Sequence, residues 1–241
     1  MVNIYQNIIS AKAANKKLLA VLIDPEKFEV ENTVSFFEKV HQSIATHIFV
    51  GGSTDEKNQT ENVVSAIKET TDLPVILFPG DVSQISQKAD GILFLSLLSG
   101  RNPEYLIEQQ IKAASILKKS DLDILPTGYI LIDGGTKTAT QKVSNTTPIS
   151  QDNLKLVLNT ALAGEFSGKK LIYLEAGSGA KISVNENIIK AVSDNLSIPL
   201  IVGGGICSKK QLDEAFNAGA DLVVIGTAFE KDTSFFNQLK K

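Results

Sequence analysis

Apolar residues in this chain gather into eight short aliphatic runs, and in six of the seven intervals between them the apolar positions recur at helical spacing. The runs predict strands over Leu18–Asp24, His47–Gly51, Val75–Phe78, Gly91–Leu95, Gly128–Ile132, Leu171–Glu175, Leu200–Gly203 and Leu222–Gly226. Between them the spacing predicts helices over Val34–His41, Asn62–Thr70, Pro103–Lys118, Gln151–Ala163, Asn185–Asn195 and Lys209–Ala218, with a last one near Thr233–Leu239. Pro103 suits the first turn of its helix, and Asn102 before it suits an N-cap. Regular strand–helix alternation builds a parallel sheet. At 241 residues the chain is close to the roughly 250 of one barrel, so the expectation is a single (β/α)8 TIM barrel over residues 1–241.

Two intervals break the pattern. Between the third and fourth runs, Gly80–Asp90 has little apolar periodicity, so a short or missing helix is expected there. Such a gap is either a plain short helix or an apolar groove for a long hydrocarbon, bordered by Val75–Phe78 and Ile92–Leu98. After the fifth run, Asp133–Ser150 is long and polar, and a flap on the catalytic face is expected.

Composition narrows the class. Apolar residues make up 43%, aromatics only 6%, and tryptophan is absent, so aliphatic strands must do most of the packing. A net charge of −3 without a long basic run argues against nucleic acid as a partner. One cysteine cannot make an internal disulfide, and Met1–Ala14 lacks a basic segment followed by an apolar one. The run Ile92–Leu98 is far too short to span a bilayer. A cytoplasmic protein without stable membrane insertion is the expectation.

In a parallel barrel the C-terminal strand ends line the active face. Strands 7 and 8 end in glycine, at Gly203-Gly204-Gly205 and Gly226, one helix apart. Glycine lets backbone N–H groups approach an anion, so this pair predicts a phosphate site. Asp24 ends strand 1 before a proline, which suits either a Mg²⁺ carboxylate or a turn cap. After strand 2, Gly51, Gly52, Ser53 and Thr54 offer close approach and hydroxyls, or an ordinary helix cap. Strand 6 ends Tyr173-Leu174-Glu175-Ala176-Gly177-Ser178-Gly179; Tyr173 and Glu175 share one side of it. A glutamate aimed into the barrel mouth binds something or sits in a buried salt bridge. Arg101 and Lys137 follow strands 4 and 5 and could meet a diphosphate, or face solvent. Glu26 and Lys27 are expected in solvent. His41 and His47 are read as structural, and Cys207 as noncatalytic because a thiolate beside phosphate is disfavoured.

Together Leu22–Pro25, Gly51–Ser53, Ser99–Pro103, Tyr173–Gly179, Gly203–Ile206 and Ile225–Thr227 resemble the geranylgeranylglyceryl phosphate synthases and the related bacterial heptaprenylglyceryl phosphate synthases. The resemblance spans strands 1 to 8. It implies condensation of sn-glycerol 1-phosphate with a prenyl diphosphate, geranylgeranyl diphosphate by preference, and a homo-oligomer, dimer or hexamer. It also implies Mg²⁺ held through Asp24 and Ser53. Glycerol phosphate would lie against Tyr173, Leu174, Glu175, Ala176, Gly177, Ser178 and Gly179, with Gly204, Gly205, Gly226 and Thr227 opposite. Glu175 would take the hydroxyl proton, and Asp24 would serve catalysis through the metal. Some members carry a lysine two residues before the aspartate, where this chain has Leu22. Two rival classes stand beside this reading. One is a phosphosugar isomerase using Asp24 and Asp133; the other is a noncatalytic phosphometabolite-binding protein.

Overall fold

The computed structural model describes residues 3–55 and 57–240; Met1, Val2, Glu56 and Lys241, inside the expected single domain, lie outside the described residues. Eight parallel strands close in chain order: β1 (Leu18–Ile23), β2 (His47–Val50), β3 (Val75–Leu77), β4 (Gly91–Leu97), β5 (Asp123–Leu131), β6 (Leu171–Glu175), β7 (Leu200–Gly203) and β8 (Leu222–Ile225). β8 returns to pair with β1, Leu18 beside Leu222, which seals the barrel. Every expected strand is present. β5 begins five residues earlier than the pattern suggested, because Asp123–Thr127 continues the pairing with β4 through Pro126.

Most strand positions are apolar on both faces because both are buried. Along β1, Leu18 and Ala20 turn into the barrel, whereas Leu19, Val21 and Ile23 turn toward the helices. The interior column is closed at its base by a helix the periodicity did not reveal, α1 (Ile4–Ala13), which inserts Ile4, Ile8 and Ala11. Its apolar residues Ile4, Tyr5, Ile8, Ile9, Ala11 and Ala13 spread around the helix instead of forming one stripe.

The outer layer contains α2 (Thr33–Gln42), α3 (Thr60–Lys68), α4 (Gln109–Leu117), α5 (Ala139–Ser144), α6 (Leu154–Phe166), α7 (Glu186–Ser193) and α8 (Lys209–Asn217), with short α9 (Thr227–Lys231) after β8. Between β3 and β4 there is only a 3-10 turn, Val82–Gln84, so the ring of helices is open there as expected. α4 is entered through a π-helical turn, Glu104–Glu108, and the Asn102 side chain accepts from the Glu104 N–H at 3.1 Å. The segment after β5 is not a structureless flap. Ile149 pairs beside Ile132, and Thr138 caps α5, which covers the barrel mouth. The C-terminal Thr233–Leu239 is a 3-10 helix rather than an α-helix. Its Phe235 and Phe236 join Phe229 in a stack that anchors the chain end beside α2.

Candidate active site

One cleft of about 390 Å³ crosses the C-terminal mouth of the barrel and runs out through the gap after β3. Its polar end is built on β6. Tyr173 and Glu175 point inward two residues apart, opposite Ile201 and Gly203 of β7. Gly203 is what lets them fit: a Cβ there would lie 2.6 Å from both the Glu175 Oε2 and the Tyr173 hydroxyl. Gly204, at φ +84°, is tighter still, since its Cβ would lie 2.5 Å from the Gly177 nitrogen and 2.8 Å from that of Ala176. The β6 and β7 turns therefore close around one carboxylate.

Glu175 accepts a 2.6 Å hydrogen bond from the Gly177 N–H through Oε1. Among the described residues no cation pairs with it, so the buried salt-bridge reading fails. Burial pushes its carboxyl up to about 6, although the Tyr173 hydroxyl and the Gly177 N–H both favour the anion. Tyr173 faces that carboxylate, yet its fully buried hydroxyl finds no partner of hydrogen-bonding geometry. A buried polar group left this way costs stability unless something else meets it. The Ser178 and Thr227 hydroxyls lie 3.2 Å apart and join the β6 turn to the β8 turn at Gly226. Leu174 and Ala176, expected against the substrate, point the other way into the packing between barrel and helices and are not among the residues lining the cleft.

Asp24 stands across the mouth at the end of β1. Its Oδ1 accepts from the Glu26 N–H at 3.1 Å, so the turn-cap reading is realised through one oxygen. Its Oδ2 meets the Lys27 ammonium at 2.6 Å, and Lys27 also lies 3.6 Å from Glu230. Lys27 thus lines the cleft instead of pointing only to solvent. Burial opposes its charge, but Asp24 and Glu230 outweigh that and raise its pKa. Ser53 faces Thr140 of α5 at 3.3 Å, and Thr54 donates to Glu26 at 3.2 Å. Neither of these meets the start of α3; Asp55 does, accepting from the Gln59 and Thr60 N–H groups.

Among the described residues no three acidic, histidine or cysteine side chains gather as a metal cage. Asp24 nevertheless fits Mg²⁺, which takes one or two carboxylates and completes its shell from substrate phosphates and water. Gly52 leaves the flank of that carboxylate open: a Cβ there would sit 3.3 Å from Oδ1.

Arg101 and Lys137 lie outside the cleft lining; the Arg101 guanidinium donates to the Leu98 and Gly100 carbonyls at 3.2 and 2.6 Å. Asp133 is exposed, accepts from the Gly135 N–H at 2.9 Å, and lines a separate cleft. Asp24 and Asp133 therefore do not face one another as an acid–base pair. His47 is buried and bonded to Thr46, and His41 to Thr71. Cys207 is exposed at the rim.

The sequence reading missed the aromatic floor between the two ends of the cleft. Phe78 stacks on Tyr173 at 5.4 Å, and Tyr129 meets Tyr173 edge-on at 5.3 Å. The register pairing Tyr129 with Tyr173 creates this contact, and period-two counting along both strands could have found it. Beyond the floor the cleft is apolar, lined by Val82, Ile85, Ile92, Phe94 and Ala113 where the outer helix is missing.

Fold and cleft thus define a (β/α)8 barrel whose catalytic-face cleft joins glycine turns around a carboxylate to a hydrocarbon-lined groove. Residues 12–241 match the PcrB family, and the chain belongs to it. It is 61% identical over 230 residues to a geranylgeranylglyceryl phosphate synthase of Zunongwangia profunda, covering 95% of this chain and 98% of that one. Identity to the enzyme of the same name from Flavobacterium johnsoniae is 56% over 237 residues, with 98% of each chain covered. The crystal structure of (S)-3-O-geranylgeranylglyceryl phosphate synthase from Thermoplasma acidophilum, in complex with its substrate sn-glycerol-1-phosphate, superposes with a TM-score of 0.93. It is 36% identical, and 99% of this chain and 96% of that chain are covered.

Proposed function

We propose that this protein transfers a geranylgeranyl group from its diphosphate to sn-glycerol 1-phosphate, forming geranylgeranylglyceryl phosphate and diphosphate. The observation that carries the reading is the place of Glu175, where the glycine turns and the apolar groove meet. Its carboxyl, raised to about 6, is a carboxylate at neutral pH with unusual affinity for a proton. A glycerol phosphate anchored at Gly204, Gly205, Gly226 and Thr227 by its phosphate would present its free hydroxyl to Glu175 and Tyr173.

The prenyl chain would lie in the groove between Val82 and Ala113, with its reacting carbon over the rings of Phe78, Tyr129 and Tyr173. Aromatic faces attract positive charge, by about 0.5–2 kcal/mol each, and cationic character develops on that carbon as the C–O bond to diphosphate breaks. Glu175 accepts the hydroxyl proton as the ether bond forms, and the electrons of the broken bond leave with diphosphate. Asp24, with the Ser53 turn beside it, would hold Mg²⁺, which when bound neutralises charge on the leaving diphosphate. α5 shields the cleft from water.

The test is incubation with labelled sn-glycerol 1-phosphate, Mg²⁺ and a ladder of prenyl diphosphates. A labelled prenyl ether, formed best with the twenty-carbon donor, supports the reading. Metal-independent isomerisation of a phosphosugar, with no ether from any donor, would overturn it.

A further inference from the structure

The charges lining the catalytic cleft are lopsided. Asp24, Glu26, Asp81, Glu175 and Glu230 contribute carboxylates, whereas Lys27 is the one cationic side chain among the described lining residues. The prenyl-transfer reading, on which this inference rests, brings a phosphate monoester and a diphosphate into that acidic space. Backbone turns after β6, β7 and β8 suit the monoester. The diphosphate must then be received beyond the β8 turn, on the neighbouring β1 side, beside Asp24. Leu22, the preceding inward residue of β1, is apolar and brings no charge.

The Lys27 ammonium lies 2.6 Å from the Asp24 Oδ2 and 3.6 Å from the Glu230 Oε2. Its side chain is 55% exposed, so it can swing off Asp24 without unpacking the core. Mg²⁺ bound to either oxygen of the Asp24 carboxylate would lie close to the ammonium on Oδ2, and the two cations repel one another. We propose that Lys27 is a diphosphate-binding residue held in waiting by Asp24. It neutralises that carboxylate in the free protein, yields it to the divalent cation, and then clasps the donor's diphosphate. Glu230 keeps the departing ammonium at the mouth, between the β1 and β8 turns. One carboxylate thereby couples the arrival of metal to the release of a cation for the second substrate.

Calorimetry on the intact protein and its Lys27→Gln variant separates the possibilities, using Mg²⁺ alone, inorganic diphosphate with Mg²⁺, and sn-glycerol 1-phosphate as probes. The variant is expected to bind diphosphate at least tenfold more weakly and Mg²⁺ alone several-fold more tightly. Its glycerol phosphate affinity should stay within twofold, and Lys27→Arg should regain most of the diphosphate affinity. Unchanged diphosphate binding in Lys27→Gln would overturn the proposal, as would equal losses for both anions with a lowered melting temperature. A wild-type protein that ignores both anions would instead overturn the prenyl-transfer reading beneath it.

Discussion

At the scale of single residues, the two carboxylates of the cleft differ in what the fold does to them. Glu175 is harder to ionise in the folded chain, about 6 against an ordinary 4.5, because it is buried with few donors. The folded state therefore binds the extra proton between those values. Its stabilising effect is fully present below pH 4.5 and is lost as pH rises through 6. That shift amounts to roughly 2 kcal/mol. Glu175→Gln should accordingly be more stable than wild type at pH 8 by about that amount, with the difference shrinking toward pH 4.5, as read by urea unfolding. Equal stability at both pH values would mean the carboxylate is not strained by burial. Asp24 lies in a different setting, open on the side of Gly52 and already paired. Asp24→Ala should abolish Mg²⁺ binding in calorimetry while sn-glycerol 1-phosphate still binds, because the turns proposed to hold it follow β6, β7 and β8 and do not use the Asp24 carboxylate.

At the scale of elements, the missing helix after β3 decides what the cleft can hold. A full helix there would cover the outward faces of Ile92 and Phe94; the 3-10 turn at Val82–Gln84 leaves them facing the groove. Ala113 on α4 closes the far wall with the smallest apolar side chain in that stretch. Ala113→Phe should fill the groove and lower turnover with the twenty-carbon donor at least tenfold while sparing a ten-carbon one. A donor-length series run on a variant with an unchanged melting temperature checks this, and a uniform loss across all lengths would place the chain elsewhere. The gap was legible because Gly80–Asp90 lacks apolar periodicity. α5 was not, since Ala139–Ser144 is a single short, mostly polar stretch held by its Thr138 cap and by the Thr140 contact to Ser53 rather than by an apolar stripe.

Across the whole molecule, the barrel could be read from sequence because burial on both faces writes most strands as short aliphatic runs; β5 was read short because Asp123, Pro126 and Thr127 interrupt its run. The base-plugging helix α1 could not, for its three buried residues are justified only by the closed interior above them. The same holds for Lys27, whose neighbours Asp24 and Glu230 meet only when β1 and β8 pair. Closure also buries His47 and lowers its pKa to about 4, because burial disfavours the cation. The unfolded chain binds that proton from about pH 6.5 downward, so stability present above 6.5 is lost as pH falls toward 4, by roughly 3 kcal/mol. Unfolding curves of His47→Gln should show a shallower loss over that window than wild type; parallel curves would show that other groups drive the acid transition.

In the proposed reaction one cleft brings the glycerol phosphate hydroxyl, Glu175 and a prenyl diphosphate to the same point. The direct measurement follows labelled sn-glycerol 1-phosphate and released diphosphate together, with geranylgeranyl diphosphate and Mg²⁺, in wild type and Glu175→Gln. The predicted result is one prenyl ether for each diphosphate released, slowed about 10²–10⁴-fold in the variant, the range expected for loss of a general base. Diphosphate released without ether, or ether formed equally fast by Glu175→Gln, would contradict it.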